Sequence, residues 1–269
     1  MPSKTSHNLI FLHIPKNGGT TLHSILNRKY SKHEIFDIKV INNTRLNTKE
    51  FIDLSQEQRK QIHLLKGHML FGLDKYLYGP THYITFLRKP EDRIVSFYNY
   101  VLKRPQHRLY SKISNMSLYD FVSSTTEGDV HNAQVRWISG LEHETPENML
   151  DMALKNIDNY FSFVGLLEEY NTSLILLSKL YKWGIPYYKY GNRGTSQGII
   201  IDQKTRDAIN ERNKSDSELY RIIEERFKTQ VKSLGALRFI KHKQLDLANW
   251  FYIDKTGKKI SRKMGLFKK

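Results

Sequence analysis

The segment from Asn8 to Thr21 constrains this chain more than any other. Asn8-Leu9-Ile10-Phe11-Leu12-His13-Ile14 is short, apolar and bounded by Pro15. A strand without polar alternation is buried on both faces, which places it in a parallel sheet covered by helices. Pro15-Lys16-Asn17-Gly18-Gly19-Thr20-Thr21 follows, then a stretch with Leu22, Ile25 and Leu26 on one face. Strand, glycine turn and helix in succession open an α/β unit.

The rest of the chain repeats that alternation. Strands are expected at 62–66, closed by Gly67-His68, at 82–88 and at 160–165. Pro90 suits the first turn of a helix to about Lys103, with Ile94, Val95, Phe97, Tyr98 and Val101 as its apolar side. Further helices fit 117–124, 130–139, 147–158 and 168–183, the last stopped by Gly184 and Pro186. Ser215-Asp216-Ser217-Glu218 reads as a capping box opening a helix through about Phe227. Residues 30–60 are polar and mixed, an irregular or helical excursion, and the pattern around Trp250, Phe251 and Tyr252 reads as core edge. The expectation is α/β: a single domain over 1–250 with a central, mainly parallel sheet flanked by helices, and a basic C-terminal tail at 251–269.

Composition removes several classes of chemistry. With no cysteine, a disulfide scaffold, a thiolate zinc site, an iron–sulfur cluster and a cysteine nucleophile are all excluded. No apolar run approaches the roughly 20 residues that span a bilayer, and the first eight residues do not read as a signal peptide. The expectation is therefore a soluble, cytoplasmic chain without a transmembrane segment. The formal charge is +16, of which the segment from Asp254 onward carries +6. A body this basic favours an anionic ligand, though charge alone does not choose among nucleotide, nucleic acid, acidic glycan and membrane surface.

The glycine turn narrows the choice. A helix N-terminus offers unpaired N–H groups and a positive dipole end, and Gly18 and Gly19 let an anion approach them closely. Lys16 adds an ammonium; Thr20 and Thr21 add hydroxyls. Together with Asn17 they form a cradle for a phosphate or phosphosulfate. It is not a Walker A loop, because Lys16 precedes both glycines instead of following the second. That weakens the alternative of a nucleotide-dependent phosphoryl transferase. A non-catalytic polyanion-binding module is the other rival.

His13-Ile14-Pro15-Lys16-Asn17-Gly18-Gly19-Thr20-Thr21 resembles the 5′-phosphosulfate loop of sulfotransferases that use 3′-phosphoadenosine 5′-phosphosulfate (PAPS), above all the carbohydrate group with heparan sulfate 2-O- and 6-O-sulfotransferases. A second segment, 85–98, resembles that family's 3′-phosphate motif: an Arg at a strand end, then Pro, then Arg-x-x-Ser. This carries the 3′-phosphate role to Arg88 and Ser96. Ser96 lies eight residues on from Arg88, just over two helical turns, so both can lie on one side, and a guanidinium with a hydroxyl grips a terminal phosphate at two points.

Lys66-Gly67-His68-Met69-Leu70-Phe71-Gly72 resembles the segment that contains the family's catalytic histidine, so the resemblance assigns the general base to His68; His63 and His131 are the fallbacks. The 2-O types carry a second histidine two residues earlier, where this chain has Lys66. The resemblance implies a P-loop-like sulfotransferase fold, PAPS as donor, PAP (3′-phosphoadenosine 5′-phosphate) as product and in-line transfer to an acceptor hydroxyl. The acceptor is expected to be a carbohydrate, acidic glycans included. Lys16 would both hold the phosphosulfate and stabilise the leaving oxygen; no metal and no nucleic acid are expected. Weaker matches put Gln134, Arg136, Lys103 and Arg104 on the acceptor side, and Arg193, Thr195 and Ser196 in a loop over the cofactor.

Overall fold

The computed structural model describes residues 7–41, 45–188 and 201–251. Its strands are β1 (Asn8–Leu12), β2 (Ile35–Ile38), the two-residue β3 (Val40–Ile41) and β4 (Arg45–Leu46), β5 (Leu64–Gly67), β6 (Thr81–Leu87) and β7 (Phe161–Leu166). Five of them form one sheet in the order β2-β5-β1-β6-β7 with every pairing parallel. The other two make a small antiparallel ribbon. The expected class, a parallel sheet flanked by helices, is the one observed.

The strand that opens the chain is the centre of the sheet. All five β1 residues are buried, and they bond to β5 on one side and β6 on the other, with Leu12 opposite Gly67 and Phe11 opposite Ile84. Parallel strands finish at one edge, so the residues that follow β1, β5 and β6 (His13, His68 and Arg88) share that edge. After β1 the chain leaves towards β2; after β6 it leaves towards β7. Neighbouring strands whose connections diverge in this way open a crevice between them, the usual ligand position in open α/β sheets.

Two expectations about the periphery change. Residues 30–60 hold the edge strand β2 as well as the helices Thr48–Ile52 and Gln56–Lys60. Trp250 and Phe251 end the helix Leu237–Phe251 but are 48% and 61% exposed, and the helix buries Leu245 and Asn249 instead. Tyr252 lies outside the described residues. Among those residues no helix is long and apolar enough to cross a membrane.

The expected capping box is also absent. The helix Lys214–Lys232 begins before Ser215, and Glu218 pairs with Arg221 at 2.7 Å. Asp216, fully buried, caps a different helix: its two oxygens accept from the N–H groups of Gln134 (3.0 Å) and Val135 (2.8 Å). That supplies the N-terminus of the helix Ala133–Ser139, whose own N-cap residue Asn132 is left-handed and offers no side-chain cap. Asn132 Oδ1 in turn accepts from the Asp216 N–H at 3.1 Å. The Asp216 carboxylate also faces Arg93, a fully buried guanidinium that donates to Asp129 O at 2.6 Å.

Removing Asp216 therefore strips a helix of its cap and leaves Arg93 less compensated. Asp216→Ala should cost about 3 kcal/mol of stability, read as a lower midpoint in denaturant unfolding. A loss below 0.5 kcal/mol, the range of an ordinary surface substitution, would show that the carboxylate does not hold these helices together.

Candidate active site

The turn after β1 is built tightly, and not only for a ligand. Lys16 takes a left-handed backbone with φ 73°, and Gly18 follows as the left-handed N-cap of the helix Gly19–Leu26. A Cβ at Gly19 would fall 2.1 Å from His13 Nε2, and one at Gly18 2.4 Å from a Leu167 methyl. The glycines thus admit His13 and Leu167 as well as leaving the N–H groups bare. Gly18 provides no side-chain cap and the first turn carries no acid, so no side chain of that turn offsets the positive end of the helix. Thr20 is exposed in that first turn, whereas Thr21 meets the buried Tyr170 hydroxyl.

Arg88 meets this turn from β6. Its Nη1 donates to the Lys16 carbonyl at 3.2 Å, which ties the two expected cofactor loops across the β1–β6 crevice. Ser96 lies half-buried on the helix Pro90–Leu102. One turn further on, Tyr100 carries two cations: Lys16 Nζ lies 4.0 Å and Arg104 Cζ 3.8 Å from its ring centre. No motif marks Tyr100, but its i+4 spacing from Ser96 puts both on one helix face.

His68 stands beyond β5. Its Nδ1 is 2.8 Å from the His13 carbonyl; a carbonyl only accepts, so Nδ1 carries the proton and Nε2 holds the free lone pair. The ring stacks on His13 with centres 4.4 Å apart and meets the edge of Trp137 at 5.9 Å. Burial lowers the His68 pKa below the usual imidazole value, against the pull of the His13 carbonyl. The ring is therefore neutral at pH 7, with a lone pair able to take a proton.

Several expected residues have other duties. The Asn17 amide is turned inward, donating to Phe86 O (2.7 Å) and Gln134 Oε1 (2.8 Å), so its side chain anchors the turn. Gln134 is fully buried; it accepts from the Arg88 N–H at 3.0 Å and donates to Arg88 O at 2.9 Å. It is a strut between the two loops and cannot reach an acceptor. Arg136 donates to the carbonyls of Gly128 and His131 and is likewise committed to the protein. Arg104 joins the site through Tyr100, while Lys103 is exposed at the end of the same helix. Of the fallback histidines, His63 bonds to Asn8 at the far end of the sheet and His131 to Thr125 O, so neither joins His68. Arg193, Thr195 and Ser196 lie outside the described residues.

The galactose-3-O-sulfotransferase family profile matches residues 2–247. The chain belongs to that family. It is a carbohydrate sulfotransferase family, as the motif resemblance implies. No curated protein matches the chain. Among solved structures, mouse sulfotransferase SULT7A1 complexed with PAP aligns at 14% identity and a TM-score of 0.37, over 77% of this chain and 63% of that one. The chain thus spans less than two thirds of that protein's length.

In this member of the family the Lys16 ammonium is poised. Burial, followed by the nearby Arg104 and Arg88 cations, lowers its pKa to about 8. A bound anion offsets all three and returns the charge. Lys16 should therefore titrate near 8 by lysine side-chain NMR, against about 10.4 for exposed lysines, and inorganic pyrophosphate should raise that midpoint. A midpoint with the exposed lysines would mean that Lys16 is not enclosed with Arg88 and Arg104.

Proposed function

We propose that the chain, one domain over residues 1–250 followed by a basic segment at 251–269, transfers a sulfuryl group from PAPS to a carbohydrate hydroxyl, with His68 as general base. The observation that carries the reading is the convergence of Lys16, Arg88 and His68 at the C-terminal edge of β1, β6 and β5, next to an uncapped helix N-terminus. The family supports a galactose-bearing acceptor, and the net charge of +16 supports one that is itself acidic.

The residues fit the donor. The bare N–H groups at Gly19 and Thr20, with Lys16, suit the 5′-phosphosulfate; Arg88 and Ser96 suit the 3′-phosphate. PAPS supplies a sulfuryl group already activated by its bond to phosphate. The chain's own contribution is to position and to manage charge. His68 Nε2 takes the proton from the acceptor hydroxyl as that oxygen becomes nucleophilic. The Lys16 ammonium and the helix N-terminus stabilise negative charge that grows on the phosphate side. Arg88, held at both its N–H and its carbonyl by Gln134, keeps its guanidinium beside the Lys16 carbonyl.

Calorimetric titration tests the donor site: PAP should bind tightly, and ADP, which lacks the 3′-phosphate, weakly. Arg88→Ala should weaken PAP by roughly 10- to 100-fold, the worth of one charged hydrogen bond. His68→Ala should leave PAP affinity within about twofold while lowering transfer by about 10²- to 10⁴-fold. Because burial lowers the His68 pKa, kcat should hold down to the ordinary imidazole value near 6.5 and fall only at lower pH, as the ring becomes protonated. Equal binding of PAP and ADP would overturn the donor assignment; retained transfer in His68→Ala would remove His68 as base.

A further inference from the structure

Beneath His68 lies a chain of polar groups, buried at Lys66 and open to solvent at Asp37, for which the transfer reaction so far has no use. Lys66, on β5, is 1% exposed, an unusual place for a lysine. Its register partner on β2 is Asp37, and the two side chains form an ion pair. Lys66 Nζ also lies 3.1 Å from His23 Nδ1, and His23 Nε2 lies 3.1 Å from His13 Nδ1. His13 is the ring on which His68 stacks, and its carbonyl receives the His68 Nδ1 proton.

We propose that Asp37, Lys66, His23 and His13 form one directed hydrogen-bond relay that fixes the tautomer and orientation of the ring under His68, making them positioning residues for it. The proposal rests on the reading of His68 as base. The direction follows from donor and acceptor inventory. An ammonium only donates, so His23 Nδ1 must accept and its proton must sit on Nε2. His23 Nε2–H then donates to His13 Nδ1, which places the His13 proton on Nε2, the atom packed over Gly19. Every ring nitrogen in the stack is thereby assigned, and His68 is left with Nε2 unprotonated.

Burial, with the surrounding charges, keeps the two inner rings neutral. Burial is the largest effect on both inner rings, lowering His23 to about 4 and His13 well below the usual imidazole range. Lys66 lowers both further; His68, His23 and Lys16 also act on His13, and Asp37 opposes the trend at His23. His68 can then accept a proton over a neutral ring, with no second imidazolium 4.4 Å away.

Long-range nitrogen–proton NMR of the imidazoles, on the full chain without ligand, tests the relay directly. At pH 7, His13 and His23 should both be neutral with the proton on Nε2, and His68 should carry it on Nδ1. In Lys66→Met the donor is lost and Asp37 faces His23 directly, so His23 should gain a proton at higher pH than in the wild type. The same variant should lower kcat about tenfold with PAP affinity unchanged, a split that general destabilisation does not produce. His13 or His23 found cationic or Nδ1-protonated in the wild type would overturn the proposal. So would a Lys66→Met protein with unaltered His23 signals. Because the wild-type spectrum needs no variant, misfolding cannot obscure the result. Failure of PAP to bind would instead count against the transferase reading and leave the ring assignments standing.

Discussion

The Gln134 side chain spans the gap between the loops that follow β1 and β6, and the rest of the site depends on it. Its oxygen accepts from both Asn17 Nδ2 and the Arg88 N–H, and its nitrogen donates to Arg88 O. A primary amide used in this way sets both the spacing and the orientation of two loops whose backbones do not pair. Because it is fully buried, no water competes for these bonds, and leaving any of them unmade would be costly. The strut is itself anchored, since Asp216 caps the helix that carries it. A carboxylate some eighty residues further along the chain thus reaches the cradle through one helix and one amide.

Charge in the site is organised around burial. Lys16, Arg88 and Arg104 gather cations where the helix N-terminus already adds a positive field, an arrangement that repels itself until an anion arrives. Desolvation first, and then that repulsion from Arg104 and Arg88, lower the Lys16 pKa. Tyr100 moderates the repulsion by placing its π-system against both Lys16 and Arg104. The histidines are treated in the opposite way. His13, His23 and His68 are packed together with lowered pKa values, which sets an uncharged side of the crevice against the cation-rich one.

Much of this was legible from local chemistry. The unbroken apolar run at β1, the glycines after it and Pro90 at the start of a helix each carry a local signal, and each element formed within a few residues of expectation. Lys16 stood out by its place in the glycine turn, while His68 and Arg88 took their expected roles from the motif resemblance, and the parallel strands deliver all three to one edge. The misses have a common cause. Asp216 looked like part of a capping box because sequence spacing cannot show that a cap serves a distant helix. Gln134 and Arg136 were expected on the acceptor side from a motif match, and a motif match does not show burial. The short strand β2 was hidden in a polar stretch because an edge strand needs little apolar length.

What the sequence by itself determined is four of the five strands of the sheet, most of the helices between them, and the order in which those strands deliver their residues. All of these depend on near-neighbour patterns, namely hydrophobic period, glycine and proline placement, and strand-to-helix turns. What only the tertiary structure decided is which polar groups meet. Lys66 pairs with Asp37 because β2 and β5 align in register, His23 reaches both Lys66 and His13 because the first helix packs there, and Gln134 joins two loops far apart in the chain. Such contacts depend on three-dimensional distance and on exclusion of water, and neither is encoded in the spacing of any single segment.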